Sequence, residues 1–356
     1  MLDFAQIDHA IGNPDELARK RAHDKWNLVA KPIASLGALE PMVEQIAAAT
    51  GSEDVAIDKR CAIIMCADNG VVAQGVSQSQ PDITTLIAGS IARGTSSVCT
   101  MSRPARIDTF SVDVGMRDPS DVPGVIDKRV AAGTADIFLG PAMTPEQASQ
   151  AIQAGIDCAR QAAADGYRII AVGEMGIGNT TTASALACAL LGLSPEEATG
   201  KGAGLSDAGL QHKIEVIKGA LAVNAPASGT YADDPFATLC ALGGFDICGM
   251  VGLYLGAALA HIPAVVDGFI SAIAALVAVK LCPSCKAALL ASHTSTEPAA
   301  RAVIAALGFE PVIQAGMHLG EGTGAICLIP LLDMALALYN GTTFEQTGMD
   351  AYEVDL

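Results

Sequence analysis

Aromatic and charged side chains are scarce in this sequence. Aromatic residues occupy 4% of the 356 positions and charged residues 17%, whereas hydrophobic residues reach 51% and 36 positions are glycine. This apolar composition excludes a disordered chain. The chain is also long enough to bury a hydrophobic core. The composition predicts tightly packed helices on a sheet.

Positive charge is scarce as well. Lys and Arg number 21 against 38 Asp and Glu, which gives a formal net charge of -17. A general electrostatic affinity for nucleic acid or for an anionic membrane surface is therefore not expected. An anionic small molecule would have to be held by a local site.

Long apolar runs and metal-binding patterns are also missing. The longest runs, 247–260 and 269–279, fall short of the roughly 20 residues that a bilayer requires. The N-terminus lacks a basic start followed by an apolar run, so we expect no signal peptide and a cytoplasmic protein. Of ten cysteines only Cys282 and Cys285 form a CxxC pair, without a second pair, and we expect no metal site.

Five segments after residue 60 alternate with helical stretches and predict parallel strands that end in Gly and a carboxylate. They are CAIIMCADNG, RIDTFSVDVG, YRIIAVGEMGIG, IPAVVDGF and FEPVIQAGMHLGEGTG. Parallel strands end at one edge of a sheet, where ligands bind. We therefore expect Asp68, Asp113, Glu174, Asp267 and Glu321 at that edge. For any one of them, capping a helix or shaping a loop explains the carboxylate as well.

The strongest local motif is VGEMGIGNTTTASALACALLG, a glycine-rich turn between a strand and a helix. Gly173, Gly176 and Gly178 permit a sharp turn, and the helix N-terminus that follows suits a phosphate. The alternative is a tight turn with Asn179 or Thr180 as an ordinary N-cap. The spacing matches neither GxGxxG nor GxxxxGK[ST]. This mismatch weakens the interpretation of the chain as a dinucleotide dehydrogenase or as a P-loop ATPase.

Two further residues suggest catalysis on a phosphorylated ligand. In GKGAGLSDAGLQHKIEVI, Lys213 lies about one turn inside a helix and could reach a phosphate, although most lysines are surface residues. Glu321 lies between two glycines before an apolar helix, so it is either a general base or a first-turn acid that favours the helix dipole. His293 and His318 lie near these loops, but a structural role is the more common one.

The motifs together resemble those of the nicotinate-nucleotide-dimethylbenzimidazole phosphoribosyltransferases of the cobalamin pathway, the CobT family. The similarity runs in order from about residue 25 to about residue 340. Its motifs are KPIASLGALE, MCADNGV, VSQSQPDIT, ARGTSSV, VDVGM, GEMGIGNTT, KGAGLSDAGLQHK, LGGFDICGMVG, VVDGFIS and HLGEGTGA. Matches in a fixed order are far more specific than one glycine loop.

The resemblance implies an α/β fold with a Rossmann-like parallel sheet flanked by helices, and a small helical domain formed from both termini. The implied divisions are 1–55, 56–335 and 336–356. It also implies the transfer of ribose 5-phosphate from nicotinate mononucleotide to an aromatic base, giving an α-linked product without a cofactor. The implied assembly is a homodimer, or a heterodimer with a homologous subunit.

The resemblance also assigns site residues. It makes Glu321 the general base. The implied substrate-binding positions are Glu174, Gly176, Asn179, Thr180, Gly202 and Lys213 around the donor ribose and phosphate, Asp267 and Ser295 in the same cleft, and Ser79, Ile87 and Leu319 on the side of the acceptor base.

The sequence departs from the family pattern mainly on the acceptor side. Lys-Pro-Ile-Ala at 31–34 replaces Lys-Pro-Pro-Gly, Asn69 replaces a histidine, and Ile87 stands where relatives often carry glutamine. The acceptor therefore stays open between dimethylbenzimidazole and a phenolic compound. Two other functions remain as alternatives: a nucleotide-dependent oxidoreductase and a catalytically silent, nucleotide-sensing subunit.

Overall fold

A computed structural model describes residues 1–80, 82–118, 122–350 and 352. Its sheet contains six parallel strands: β1 (Arg60–Ala67), β2 (Asp108–Gly115), β3 (Ile126–Asp127), β4 (Ile169–Met175), β5 (Ala264–Val266) and β6 (Leu289–Ala291). Their order in the sheet is β3-β2-β1-β4-β5-β6. This is the order of a doubly wound Rossmann sheet, whose topological switch point lies between β1 and β4. The predicted α/β class is confirmed.

Helices cover both faces of the sheet. The longer ones are α1 (Phe4–Ile11), α2 (Glu16–Leu28), α3 (Leu39–Thr50), α4 (Asp82–Ala92), α5 (Ser97–Ala105), α6 (Pro145–Ala164), α7 (Asn179–Leu191), α9 (Asp207–Val223), α10 (Pro235–Leu242), α11 (Phe245–Leu259), α12 (Phe269–Leu281), α13 (Ala300–Leu307) and α14 (Thr323–Tyr339). Two single-turn helices are α8 (Pro195–Ala198) and α15 (Phe344–Thr347). Short 3-10 helices occupy Gly70–Gln74, Tyr231–Asp233 and Pro283–Ala288.

The side chains of the central strand alternate between two hydrophobic cores. On β1, Ile63 and Met65 join the core under α6, α7, α11 and α12, whereas Ile64 and Cys66 join the core under α3, α5 and α14. A strand that is buried on both faces reads as a continuous apolar run, as β1 does.

The abundance of glycine follows partly from the packing of α6 against α11. A Cβ atom on Gly155 would overlap the backbone of Gly249, and one on Gly252 would overlap the backbone of Ile152. The two helices can approach so closely only because these side chains are absent.

Two strand predictions differ from the structure. The segment that contains Ile313 forms a single bridge with His293 and no strand, and it continues into a loop in which Gly320, Glu321 and Gly322 are left-handed before α14 begins. The strands β3 and β6 were not predicted, since runs of two and three residues carry no readable alternation. Glu321 therefore belongs to a loop and not to the end of a strand.

The two ends of the chain meet beside the second core. The rings of Trp26 and Tyr339 pack edge to face at 4.8 Å, and Val29 forms an antiparallel bridge with Thr343. These contacts suit a small unit made from both termini. The domain boundaries at residues 55 and 335 stay a prediction.

No helix in the described ranges is both long enough and apolar enough to span a bilayer. Cys282 and Cys285 are free, buried thiols. Among the residues that the structure describes, no group of His, Cys, Asp or Glu side chains is arranged to hold a metal ion.

Candidate active site

A cleft of about 590 Å³ opens beyond the carboxyl ends of β4, β5 and β6, on one side of the switch point. It is lined by every predicted site residue except Lys213, which lies directly beneath it. Its lining includes Ser79, Ile83, Ile87, Glu174, Gly176, Asn179, Thr180, Gly202, Asp267, His293, Ser295, Glu297, His318, Leu319 and Glu321. The structure thus brings together segments that are separated by more than half of the chain.

The turn between β4 and α7 leaves a helix N-terminus uncapped at the cleft. Gly178 is the N-cap residue with φ at 92°, and no side chain caps the helix. Asn179 is already the first helical residue, so the alternative of Asn179 or Thr180 as an ordinary N-cap is wrong. The amides of Asn179 and Thr181 already donate to the carbonyl oxygens of Gly176 and Gly178, so it is chiefly the helix dipole that makes this position suitable for an anion.

Lys213 places a buried cation below that helix terminus. Its Nζ donates to Thr180 Oγ1 at 2.9 Å and to the carbonyl oxygen of Gly200 at 3.3 Å. The side chain is 1% exposed, and within the described residues no carboxylate lies at ion-pair distance. Lys213 is the seventh residue of α9, nearly two turns inside the helix, and therefore deeper than the sequence suggested.

Burial lowers the pKa of Lys213 to about 8, and the nearby carboxylate of Glu297 opposes this shift. A buried ammonium group without an anionic partner is costly, so it is expected to take one from solution. The backbone of Gly202 lies against Thr180 and Lys213. Its φ is 52°, and a Cβ atom there would lie 3.1 Å from Thr180 Oγ1.

Glu174, at the floor of the cleft, and Asp246, buried behind it, form a pair of carboxylates. Asn179 donates from Nδ2 to Glu174 Oε2 and, at 2.9 Å, to Asp246 Oδ2. Burial, and next the charge of Asp246, raises the pKa of Glu174 to about 8, while burial raises the pKa of Asp246 to about 6. Sequence reasoning missed Asp246. The signal that could have identified it is a carboxylate that follows two glycines at the start of an apolar helix.

Asp267 joins the cleft to the start of α14. Its Oδ1 accepts a hydrogen bond from the Ala325 amide at 2.9 Å and lies 3.9 Å from Nδ1 of His293. Burial raises the pKa of Asp267, and His293 opposes the shift. His293 is 4% exposed and lines the cleft, so it combines a buried position with access to a ligand.

Glu321 is held in an unusual backbone conformation. Its φ is 58°, between Gly320 at 87° and Gly322 at 79°. A left-handed residue other than glycine costs about 1–2 kcal/mol, and such strain is concentrated at functional sites. Glu321 Oε2 accepts from the Val98 amide at 3.2 Å, and burial raises the pKa of the Glu321 carboxyl.

The Glu321 loop touches β4 at a glycine. A Cβ atom on Gly173 would lie 2.7 Å from the Gly322 nitrogen and 2.8 Å from the Glu321 carbonyl carbon. A side chain on Gly173 would therefore displace Glu321. This explains one glycine of the VGEMGIG motif without any contact to a ligand.

Two of the predicted carboxylates at this edge of the sheet do not line the cleft. Asp68 accepts from Thr84 Oγ1 at 2.6 Å and from the Arg117 amide at 2.7 Å. Asp113 Oδ1 accepts from the amides of Gly115 and Met116. Both carboxylates shape the loops after β1 and β2, which agrees with the alternative explanation given for single carboxylates.

The cleft has walls of two kinds. Its polar wall consists of Thr180, Gly202, Ser295 and Glu297 with Lys213 beneath them, and the Oε2 atom of Glu297 is buried without a hydrogen-bond partner among the described residues. Its apolar wall consists of Ser79, Ile83, Ile87 and Leu319, of which Leu319 is 54% exposed. Such an arrangement suits a ligand with an anionic part and a flat apolar part.

Comparisons with known proteins identify the family. A family model described as Phosphoribosyltransferase matches residues 11–349. A nicotinate-nucleotide-dimethylbenzimidazole phosphoribosyltransferase of Ruminiclostridium cellulolyticum is 41% identical over 351 residues, which cover 98% of this chain and 99% of that protein. One of Pseudomonas putida is 41% identical over 326 residues, 91% of this chain and 92% of the relative. The chain belongs to the CobT family of phosphoribosyltransferases.

A solved structure of a CobT family member agrees. The crystal structure of CobT from Thermus thermophilus superimposes with a TM-score of 0.88 at 36% identity, and covers 94% of this chain and 100% of that one. The predicted family, fold and enzyme class are therefore confirmed, and the oxidoreductase alternative is excluded. As a CobT-type phosphoribosyltransferase, the chain is a pentosyl-transferring enzyme. The roles of individual residues in the cleft stay predictions.

Proposed function

We propose that this phosphoribosyltransferase moves ribose 5-phosphate from nicotinate mononucleotide to an aromatic lower-ligand base, for the nucleotide loop of a cobamide. The names of the relatives support these substrates. One observation carries the proposal. Lys213 is buried under the N-terminus of α7 without a described carboxylate at ion-pair distance, and it lies beneath the cleft that Glu321 lines.

The polar wall binds the donor. Lys213, Thr180 and the first turn of α7 hold the 5-phosphate, because charge-assisted hydrogen bonds and a helix N-terminus both favour an anion. Glu174 and Asp267 lie on the floor of the cleft and hold the ribose. When the phosphate is fixed, the anomeric carbon is oriented toward the acceptor. This orientation is the main way in which binding of the donor accelerates the reaction.

The reaction is a single displacement. The bond between the anomeric carbon and the pyridinium nitrogen breaks, nicotinate leaves with the electron pair, and the acceptor forms the new bond from the opposite face. This inverts the configuration and gives the α-riboside phosphate. Glu321 accepts the proton of the attacking base, a role that a raised carboxyl pKa favours near neutral pH.

The apolar wall receives the acceptor. Ile83, Ile87 and Leu319 offer apolar contact, and Ser79 is the one hydroxyl group in this set. A pocket that lacks a polar anchor favours azoles less strongly over phenols, because a ring nitrogen of the azole would be buried without a hydrogen-bond partner. We therefore include phenolic acceptors beside dimethylbenzimidazole, and a dimer, with itself or with a homologous subunit, as the working assembly.

The test is incubation of the purified chain with nicotinate mononucleotide and either dimethylbenzimidazole or phenol. Nicotinate release and the riboside phosphate are followed by chromatography and mass spectrometry. We expect equal amounts of nicotinate and product with at least one acceptor. Tight binding of the donor without release of nicotinate in either mixture would contradict the proposal for the chain alone, and addition of a homologous subunit would then test the heterodimer.

A further inference from the structure

A row of buried polar side chains leads from the cleft into the interior at the start of α11. Asn179 donates from Nδ2 to Glu174 in the cleft and to Asp246 behind it. On its far side, the side chain of Asn69 adjoins Asp246 and opposes the rise in the pKa of Asp246 that burial causes. Asp246 is 0% exposed and does not line the cleft, so it can influence a ligand only through Asn179 and Glu174.

Two glycines make room for the Asp246 carboxylate. A Cβ atom on Gly176, in the turn after β4, would overlap Asp246 Oδ2. A Cβ atom on Gly244, just before α11, would overlap Asp246 Oδ1 and Asn69 Oδ1. The backbone on both sides is therefore built around this side chain.

The pair of carboxylates is costly to bury. Within the described ranges, neither Glu174 nor Asp246 has a Lys or Arg partner. Asp246 is stabilised by the Ile247 amide at 3.0 Å and by its place in the first turn of α11. Buried carboxylates without a cationic partner destabilise a fold and are concentrated at functional sites.

We propose that Asp246 is a positioning residue of the transferase. It fixes the side-chain amide of Asn179 with its NH2 group between two carboxylates, and Asn179 in turn holds Glu174 with Oε1 toward the Gly320 loop, where a Cβ atom on Gly320 would lie 2.8 Å from it. The inference rests on the proposed function, in which Glu174 contacts the donor ribose.

After burial, the charge of Asp246 makes the largest contribution to the raised pKa of Glu174. The groups that face Glu174 are Asp246 from α11, Asp267 after β5 and Glu321 before α14, and the thiol of Cys66 lies on the neighbouring strand. These three carboxylates add to the effect of burial in raising the pKa of Glu174. In its neutral form Glu174 donates a hydrogen bond to a ribose hydroxyl group and adds no charge beside Glu321.

The decisive variant is Asp246→Asn, which keeps the shape and an acceptor for Asn179 but removes the charge. Its control is Asp113→Asn, which alters another buried carboxylate outside the cleft. At saturating donor, we expect kcat/KM for the acceptor to fall about tenfold in Asp246→Asn. Because one negative charge is gone, Glu174 ionises at lower pH, and the alkaline limb of the pH profile moves to lower pH. The profile of Asp113→Asn stays in place.

An unchanged pH profile with kcat/KM within about twofold of wild type would overturn the role of Asp246. If Asp246→Asn does not fold, Asp246→Ser replaces it, since it also removes the negative charge beside Glu174 and should move the alkaline limb the same way; an unmoved limb there overturns the proposal equally. Failure of the proposed function can be distinguished from failure of the role of Asp246, because the wild-type protein itself would then transfer no ribose 5-phosphate. In that case calorimetry of nicotinate mononucleotide binding against pH, on the same variants, decides whether Asp246 acts on Glu174.

Discussion

The polar and the apolar wall of the cleft are built in different ways. In the polar wall and the floor of the cleft, polar side chains are tied to other elements: Lys213 to Thr180, Asn179 to two carboxylates, and Asp267 to the first turn of α14. In the apolar wall, Ile83 and Ile87 are half-buried, Leu319 is exposed, and none of the three side chains can form a hydrogen bond.

This difference separates binding of the donor from choice of the acceptor. A change in the polar wall leaves a buried polar group without its partner, which costs about 1–3 kcal/mol and disturbs its neighbours. A change in the apolar wall alters one contact surface. We therefore expect substitutions in the polar wall to reduce turnover with every acceptor, and substitutions in the apolar wall to alter preference among acceptors.

The largest effect is expected for Glu321→Gln. The amide cannot accept the proton of the acceptor, so kcat should fall about 1000-fold while binding of the donor is kept. Initial rates and calorimetry measure the two quantities. Glu310→Gln, an exposed glutamate on the same segment, is the control. A near-normal rate for Glu321→Gln would remove Glu321 from the mechanism.

Lys213→Met should come next. It keeps the buried length of the side chain but removes the charge, so the phosphate loses a charge-assisted hydrogen bond and kcat/KM for the donor should fall about 100-fold. Lys201→Met is the control, since Lys201 is exposed and pairs with Asp207. Equal donor KM values in the two variants would place the phosphate elsewhere.

Gly173→Ala tests the position of Glu321 without changing any polar group. The new methyl group would push against Gly322 and Glu321, and a shift of the base by a fraction of an ångström should lower kcat about 30-fold. Gly140→Ala, where a Cβ atom meets nothing within 4 Å, is the control. Full activity of Gly173→Ala would show that the loop tolerates displacement.

The pH dependence of donor binding follows from Lys213. Its pKa is lowered to about 8, so the free enzyme loses the cation as pH rises above that value. Donor KM should therefore be constant below about pH 7 and rise about tenfold by about pH 9. In Lys213→Met the same measurement should show no such rise; a rise that persists there would assign the titration to another group, such as Glu174.

The smallest effect is expected in the apolar wall. Ile87→Gln adds a polar group that can pair with a ring nitrogen, so the ratio of kcat/KM for dimethylbenzimidazole to that for phenol should increase about fivefold. Ile87→Met keeps the wall apolar and should leave the ratio unchanged. A donor KM altered by Ile87→Gln would contradict the separation of the two walls.

The sequence predicted the parts of the site that lie in continuous motifs. The glycine turn around Gly176 and the isolated Glu321 are readable because glycines next to a carboxylate mark a close approach of backbone to ligand. The contacts of Lys213 and the role of Gly173 were not readable, since both depend on segments brought together by the sheet order. Asp246 was not singled out, and His293 was given a structural role, because a buried polar residue next to an apolar helix has the same local pattern whether it is structural or functional.

The configuration of the product is the sharpest test of a single displacement in this cleft. The wild-type chain is incubated with nicotinate mononucleotide and its preferred acceptor, and the anomeric proton of the riboside phosphate is examined by NMR. A donor fixed by Lys213 and an acceptor deprotonated by Glu321 on the opposite face predict the α-anomer alone. A β-linked product would contradict a single displacement in this cleft.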